Sequence, residues 1–151
     1  MSGLYYEQFD VGMVFDHPLS RTVTETDNVL FSTLTMNHQP LHLDAHFAEQ
    51  TEFGQRLVNS LFTLGLMIGM SVNDTTLGTT VANLGMTDVR FPKPVFHGDT
   101  IKVRTVVESV RESKSRPDVG LVEFRHTAYN QRGEEVAVCR RTAMMRRRNR
   151  I

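Results

Sequence analysis

The chain changes its hydrophobic rhythm near residue 77. Before that point apolar residues gather at helical spacing or in dense runs; after it they alternate with polar neighbours. A short strand is expected at residues 19–25, LSRTVTE, followed by a helix in TDNVLFSTLT, residues 26–35, capped by Thr26 or Asp27. Pro40 suits the first turn of a second helix, PLHLDAHFAEQT, because the N–H it lacks would find no partner there. Gly54 ends that segment. The third helix, LVNSLFTLGLMIGMSVND at residues 57–74, has no Asp, Glu, Lys or Arg before Asp74 and is apolar nearly all round. Such a helix needs cover on most of its circumference.

The cover comes next in the chain. TTVANLGMTDVRF, TIKVRTVVESVRES, VGLVEFRHTAYN and EEVAVCRRTAMMRRR all read as strands. Ile101, Val103 and Val107 alternate with polar or charged neighbours, as do Val122, Phe124 and Ala128, which is the period of a half-buried sheet. Asn130, Gln131, Arg132 and Gly133 form a hairpin turn between the last two strands. Strands this long predict a strongly curved antiparallel sheet around a long apolar central helix, an α+β architecture in one domain over residues 1–151.

Composition trims the functional classes. The 17 Lys+Arg balance 17 Asp+Glu, so no global field favours nucleic acid or an anionic membrane. The single cysteine, Cys139, leaves no internal disulfide framework and suits a reducing compartment. The segment MSGLYYEQFDVG lacks the apolar core of a signal peptide, and LFTLGLMIGM, residues 61–70, is far shorter than a membrane span of about 20 residues. A soluble cytoplasmic domain is expected.

Three of six histidines, His38, His42 and His46, recur every fourth residue in TMNHQPLHLDAHFAEQ. On one unbroken helix they would share a face. Pro40 disfavours helical conformation at Gln39, which separates His38 from His42. Asp44 would point about 200° round from His42 on a helix, so the region lacks a third metal ligand and no metal is expected. Asp44 instead suits an exposed place near a helix N-terminus. For His42 alone, a structural hydrogen bond and proton exchange near neutral pH both remain open. Gly65 and Gly69 are expected to allow close helix–sheet approach, and Met67, Met70, Met86, Met144 and Met145 to fill the core.

Several of these stretches together resemble the MaoC-like dehydratases, including the R-specific enoyl-CoA hydratases, a family with the hot dog fold. The hydratase motif of that family, Asp-x-Asn-Pro-(Leu/Ile/Val)-His, is matched by NHQPLH, residues 37–42, with Asn37 in place of Asp and Gln39 in place of Asn. RFPKPVFHGDTI, residues 90–101, resembles the family's Gly-Asp turn and strand entry, and LVNSLF, residues 57–62, the start of its central helix. The likeness runs over residues 10–148, nearly the whole chain.

The resemblance implies hydration of a trans-2-enoyl thioester. In the family an Asp/His pair works on one water, and backbone N–H groups at the central helix N-terminus hold the enolate oxygen. Carried over, it makes His42 the proton-transfer residue and Asn37 a residue that orients water or a carbonyl. Ser60, standing where the family has Gly, would offer its N–H to the oxyanion. Gln39, Asn59, Arg90 and Lys93 complete the expected substrate-binding set, with Arg90, Lys93 or the Arg146–Arg148 cluster near CoA phosphates. The ligand is an acyl-CoA serving as substrate, with no other cofactor, and the assembly a homodimer or dimer-based homo-oligomer; nucleic acid and membrane are not expected partners. Alternatives are a non-catalytic acyl-CoA-binding or regulatory module, a hot dog thioesterase, or one subunit of a hetero-oligomeric dehydratase. The charge-free stretch at residues 57–73 speaks against a thioesterase, which commonly uses a carboxylate on or beside the central helix.

Overall fold

The computed structural model describes residues 3–148; residues 1–2 and 149–151 of the expected domain, and the end of its basic tail, lie outside it. Five strands, β1 (Val14–Thr22), β2 (Thr80–Arg90), β3 (Thr100–Glu112), β4 (Val119–Tyr129) and β5 (Glu135–Arg146), form one antiparallel sheet in the order β1-β3-β4-β5-β2. The helices α1 (Glu25–Leu34), α2 (Pro40–Leu43), α3 (Ala45–Glu49), α4 (Ser60–Met70) and α5 (Val72–Thr75) all lie between β1 and β2 in the chain. The α+β hot dog architecture is present, and Asn130 to Gly133 make the β4–β5 turn, with Gly133 at φ 76°.

Several boundaries differ from expectation. β1 begins at Val14 rather than residue 19 and is irregular between Asp16 and Ser20, around Pro18. The cap of α1 is Thr24: its hydroxyl accepts from Asp27 N while the Asp27 carboxylate accepts from Thr24 N. Arg21 clamps the same carboxylate at 2.6 and 2.8 Å and, with the capping bonds, holds its pKa far below the carboxylate range. The expected second helix breaks at Asp44, whose carboxylate accepts from Phe47 N and starts α3 afresh. An exposed acidic side chain is a favourable cap at such a helix start.

The central helix is not long. Leu57 pairs with Phe96 and Val58 donates to Val95 O, so both are extended, and Asn59 caps α4 at Ser60. At the far end Ser71 Oγ bonds back to Ile68 O and the chain restarts as α5. Only Thr63, Met67 and Met70 of α4 are buried, whereas Leu61, Gly65 and Gly69 face outwards. The two glycines therefore mediate no close approach to the sheet; an added Cβ would meet nothing within 4 Å. Met67, Met70 and Met145 do fill the core, but Met86 is exposed on β2.

The core divides into two apolar clusters. One holds Met67, Ile101, Val103, Ala128 and Cys139; the other holds Phe9, Val107, Phe124, Ala143 and Met145. Between them runs a row of buried polar side chains, one from each of four adjacent strands: His17, Thr105, His126 and Arg141. Arg141 Nε donates to His126 Nε2 (3.1 Å), His126 Nδ1–H to Thr105 Oγ1 (2.8 Å), Thr105 O–H to His17 Nε2 (2.7 Å), and His17 Nδ1–H to Asp74 Oδ1 (2.7 Å). The direction follows from its first member, because a guanidinium can only donate. Burial first, then the charge of Arg141, pushes His126 down to about 3, which keeps it neutral.

Candidate active site

The site is built where the loop before α4 meets α1 and α2. His42, on α2, is buried, and its Nδ1 lies 2.7 Å from Leu57 O. A carbonyl oxygen only accepts, so Nδ1 carries the proton and Nε2 presents its lone pair. Among the described residues Nε2 has no hydrogen-bond partner. Leu57 also lines an apolar cleft of ≈ 360 Å³, together with Phe53, Val58, Ser60, Phe91 and Lys93. A larger groove of ≈ 790 Å³ follows the β1 irregularity past Asp16, Lys102 and Arg104, but it lies apart from His42 and α4.

The N-terminus of α4 forms one wall of that cleft. Asn59 spends its side chain internally: Oδ1 accepts from Leu61 N at 3.0 Å and Nδ2 donates to Ser32 Oγ at 3.3 Å. It is therefore a cap, and its amide does not reach into the cleft. Ser60 N–H, by contrast, donates to no acceptor among the described residues. It points with the helix dipole and is the donor left for a developing negative charge.

Asn28, fully buried on α1, ties these parts together, and sequence reasoning did not single it out. Its Nδ2 faces Leu57 O (3.0 Å), His42 O (3.3 Å) and His97 Nε2 (2.9 Å), and its Oδ1 accepts from Asn59 N (2.9 Å). The one available signal was a polar residue amid the apolar positions of α1. His97 is half-buried; burial first, then the neighbouring Arg56 charge, lowers its pKa, and Glu25 opposes this.

The other expected residues scatter. Asn37 is half-buried in the loop before α2, where Oδ1 accepts from Gln39 N at 3.3 Å and its backbone donates to Ser32 O. Gln39 holds that loop through its backbone, and its side chain is exposed. Lys93 stands at the cleft, with Arg90 at the same end of β2. Arg146 to Arg148 sit at the opposite end: Met145 pairs with Thr80, whereas Arg90 pairs with Val138. That register separates the basic cluster from Lys93 by roughly 25 Å of strand. Arg147 is moreover paired with Glu112 at 2.6 Å. His38 and His46 are exposed, and among the described residues no three His, Cys, Asp or Glu side chains gather closely enough to hold a metal. Burial raises the Cys139 thiol, which disfavours the reactive thiolate.

A hot dog sheet with a Pro-Leu-His turn beside its central helix defines a class, and comparison with known proteins agrees. The family model "MaoC like domain" matches residues 8–130, and the chain belongs to that family. Mesaconyl-CoA hydratase of Cereibacter sphaeroides is 31% identical over 98% of this chain and 43% of its own length. The 3-hydroxybutyryl-CoA dehydratase of Methylorubrum extorquens is 31% identical over 75% of this chain and 69% of its own. A Mycobacterium tuberculosis protein described as a double hotdog fold superposes with a TM-score of 0.88 at 25% identity, covering 99% of this chain and 46% of that one. The chain thus spans less than half the length of several relatives it matches.

Proposed function

We propose that this domain hydrates and dehydrates acyl-CoA thioesters, adding water reversibly to a trans-2-enoyl-CoA to give a 3-hydroxyacyl-CoA. The observation that carries the reading is His42, whose Nδ1–H is spent on Leu57 O and whose Nε2 lone pair is left free. His42 takes a proton from water as the oxygen attacks Cβ, then returns it to Cα; the O–H adds across the double bond and the imidazole ends neutral. The enolate oxygen formed in between is held by Ser60 N–H. Asn37 orients the water or the carbonyl, since an amide cannot exchange protons. The apolar cleft suits an acyl chain, and Lys93 at the cleft, with Arg90 at the end of β2, suits the CoA phosphates. The names of the two hydratase and dehydratase relatives support the substrate class. The scheme calls for no metal or further cofactor.

The domain works, in this reading, as a homodimer in the cytoplasm. β2 is an edge strand that exposes Val81, Leu84, Met86 and Val89, and the uncovered face of α4 adds Leu61. An apolar edge of this kind is a pairing surface. No helix among the described residues is long and apolar enough to cross a membrane.

The test is a panel of enoyl- and 3-hydroxyacyl-CoAs, followed by thioester absorbance, free thiol and calorimetry. Interconversion of the two thioesters without thiol release is expected. Thiol release would instead make the domain a thioesterase. Asn37 in the family's Asp position favours a binding-only module as the second reading, and heat of binding without turnover would establish it.

A further inference from the structure

The buried amide of Asn28 has only one orientation that its surroundings accept. Nδ2 faces the carbonyl oxygens of Leu57 and His42, and Oδ1 faces Asn59 N–H. Rotated by 180°, the amide would set oxygen against two carbonyls and N–H against N–H. Backbone groups cannot change their roles, so the orientation is fixed by the chain. It follows that Asn28 donates to His97 Nε2 at 2.9 Å, and that His97 is neutral with its proton on Nδ1. Two N–H bonds serve three acceptors, and the 3.3 Å contact to His42 O is the shared, weakest one.

This amide touches the backbone on both sides of the candidate site, at His42 and Leu57 and at Asn59. Leu57 O, which it holds, is the acceptor that fixes His42 Nδ1, and Asn59, whose N–H it receives, caps α4 beside Ser60. We propose that Asn28 is the positioning residue for both His42 and the α4 N-terminus, with the imidazole of His97 as the latch that fixes its amide. The catalytic half of this inference rests on the hydratase reading; the geometric half does not.

The latch opens on protonation. A second N–H on His97 would face the Asn28 N–H, and relief requires the amide to rotate or the imidazole to withdraw. Rotation breaks the bonds to Leu57 O and Asn59 N together. The charged groups acting on His97 are Arg56, which disfavours the imidazolium, and Glu25, which favours it and pairs with Arg56 at 3.0 Å. The latch is therefore closed at neutral pH and opens in acid.

Long-range ¹H–¹⁵N spectra of the histidine-labelled wild-type protein test the geometry without any variant. At neutral pH, His97 and His42 should both appear as the Nδ1–H tautomer; His97 as the Nε2–H tautomer would overturn the proposal. On acid titration the Asn59 backbone amide should follow His97, and in His97→Gln, which keeps an acceptor and does not titrate, that response should vanish. An Asn59 amide that ignores His97, or responds equally in His97→Gln, would also overturn it. In the thioester assay Asn28→Leu should lower kcat about 10- to 100-fold and change KM less than about threefold; unchanged kcat in this variant contradicts the positioning role. If wild-type protein turns over no thioester, the hydratase reading fails and the spectra still decide the latch. If Asn28→Leu does not fold, the wild-type and His97→Gln titrations decide it.

Discussion

The polar row through the core and the network behind the cleft are built from the same kinds of side chain, but they end differently. In the row, side chains bond to side chains from Arg141 Nε through His126, Thr105 and His17 to Asp74, and only Arg141 Nη2 at its head is buried without a partner among the described residues. Both nitrogens of each imidazole are engaged, so neither histidine keeps a lone pair for chemistry. In the network, Asn28 and His42 lean on backbone carbonyls, and His42, bound to the cleft-lining Leu57, keeps one nitrogen unspent. A saturated histidine is structural, and a half-satisfied one is available for work. Burial alone does not separate them, because His42 and His17 are 9% and 5% exposed.

Cutting the row should destabilise the fold and leave chemistry alone. Thr105→Val keeps the shape but strands His126 Nδ1–H and His17 Nε2 without partners. We expect a loss of about 2–5 kcal/mol in urea unfolding, with hydration at permissive temperature within about threefold of wild type. A comparable drop in kcat would show that the two regions are coupled.

Acid should weaken the row before it weakens a carboxylate. Unfolded His126 takes up its proton as pH falls through about 6.5, whereas the folded residue resists until about 3. The unfolded state binds more protons across that window, so stability is full above it and falls as pH drops through it. Between pH 7 and pH 5 the unfolding free energy should decline by about 2 kcal/mol from this group. A urea midpoint unchanged over that range would place the proton on folded His126.

On the network side, Asn37→Ala should slow hydration by about 10- to 100-fold through lost orientation. A loss as large as that of the His42 variant would make Asn37 more than an orienting residue. The smallest effect belongs to neither region: Thr24→Ala removes the α1 cap and should cost about 1 kcal/mol by urea unfolding. A loss above about 2 kcal/mol would mean that the Thr24–Asp27 pair also supports Asn28 on the same helix.

Much of the sheet was legible in the sequence, because β3, β4 and β5 alternate clearly and a Gly-ended turn joins the last two. The row was not. Its members occupy apolar phases of those strands: Thr105 interrupts Val103 and Val107, and His126 interrupts Phe124 and Ala128. Periodicity registers the apolar residues on either side and passes over the gap. The ends of α4 were illegible for a different reason. Leu57 and Val58 continue the apolar run, but pairing with Phe96 and Val95 pulls them into extended backbone, a long-range contact with no local signature. His42 was legible through Pro-Leu-His, whereas Asn28 gains its meaning only from groups 14, 29, 31 and 69 residues away.

The central claim is that the unspent nitrogen of His42 performs the proton transfer. It is tested most directly by comparing enoyl-CoA hydration in wild type and His42→Ala, with thermal unfolding measured on the same samples. The account predicts a loss of about 100- to 10,000-fold in kcat by a variant that still folds cooperatively. A folded His42→Ala that hydrates at the wild-type rate would contradict it.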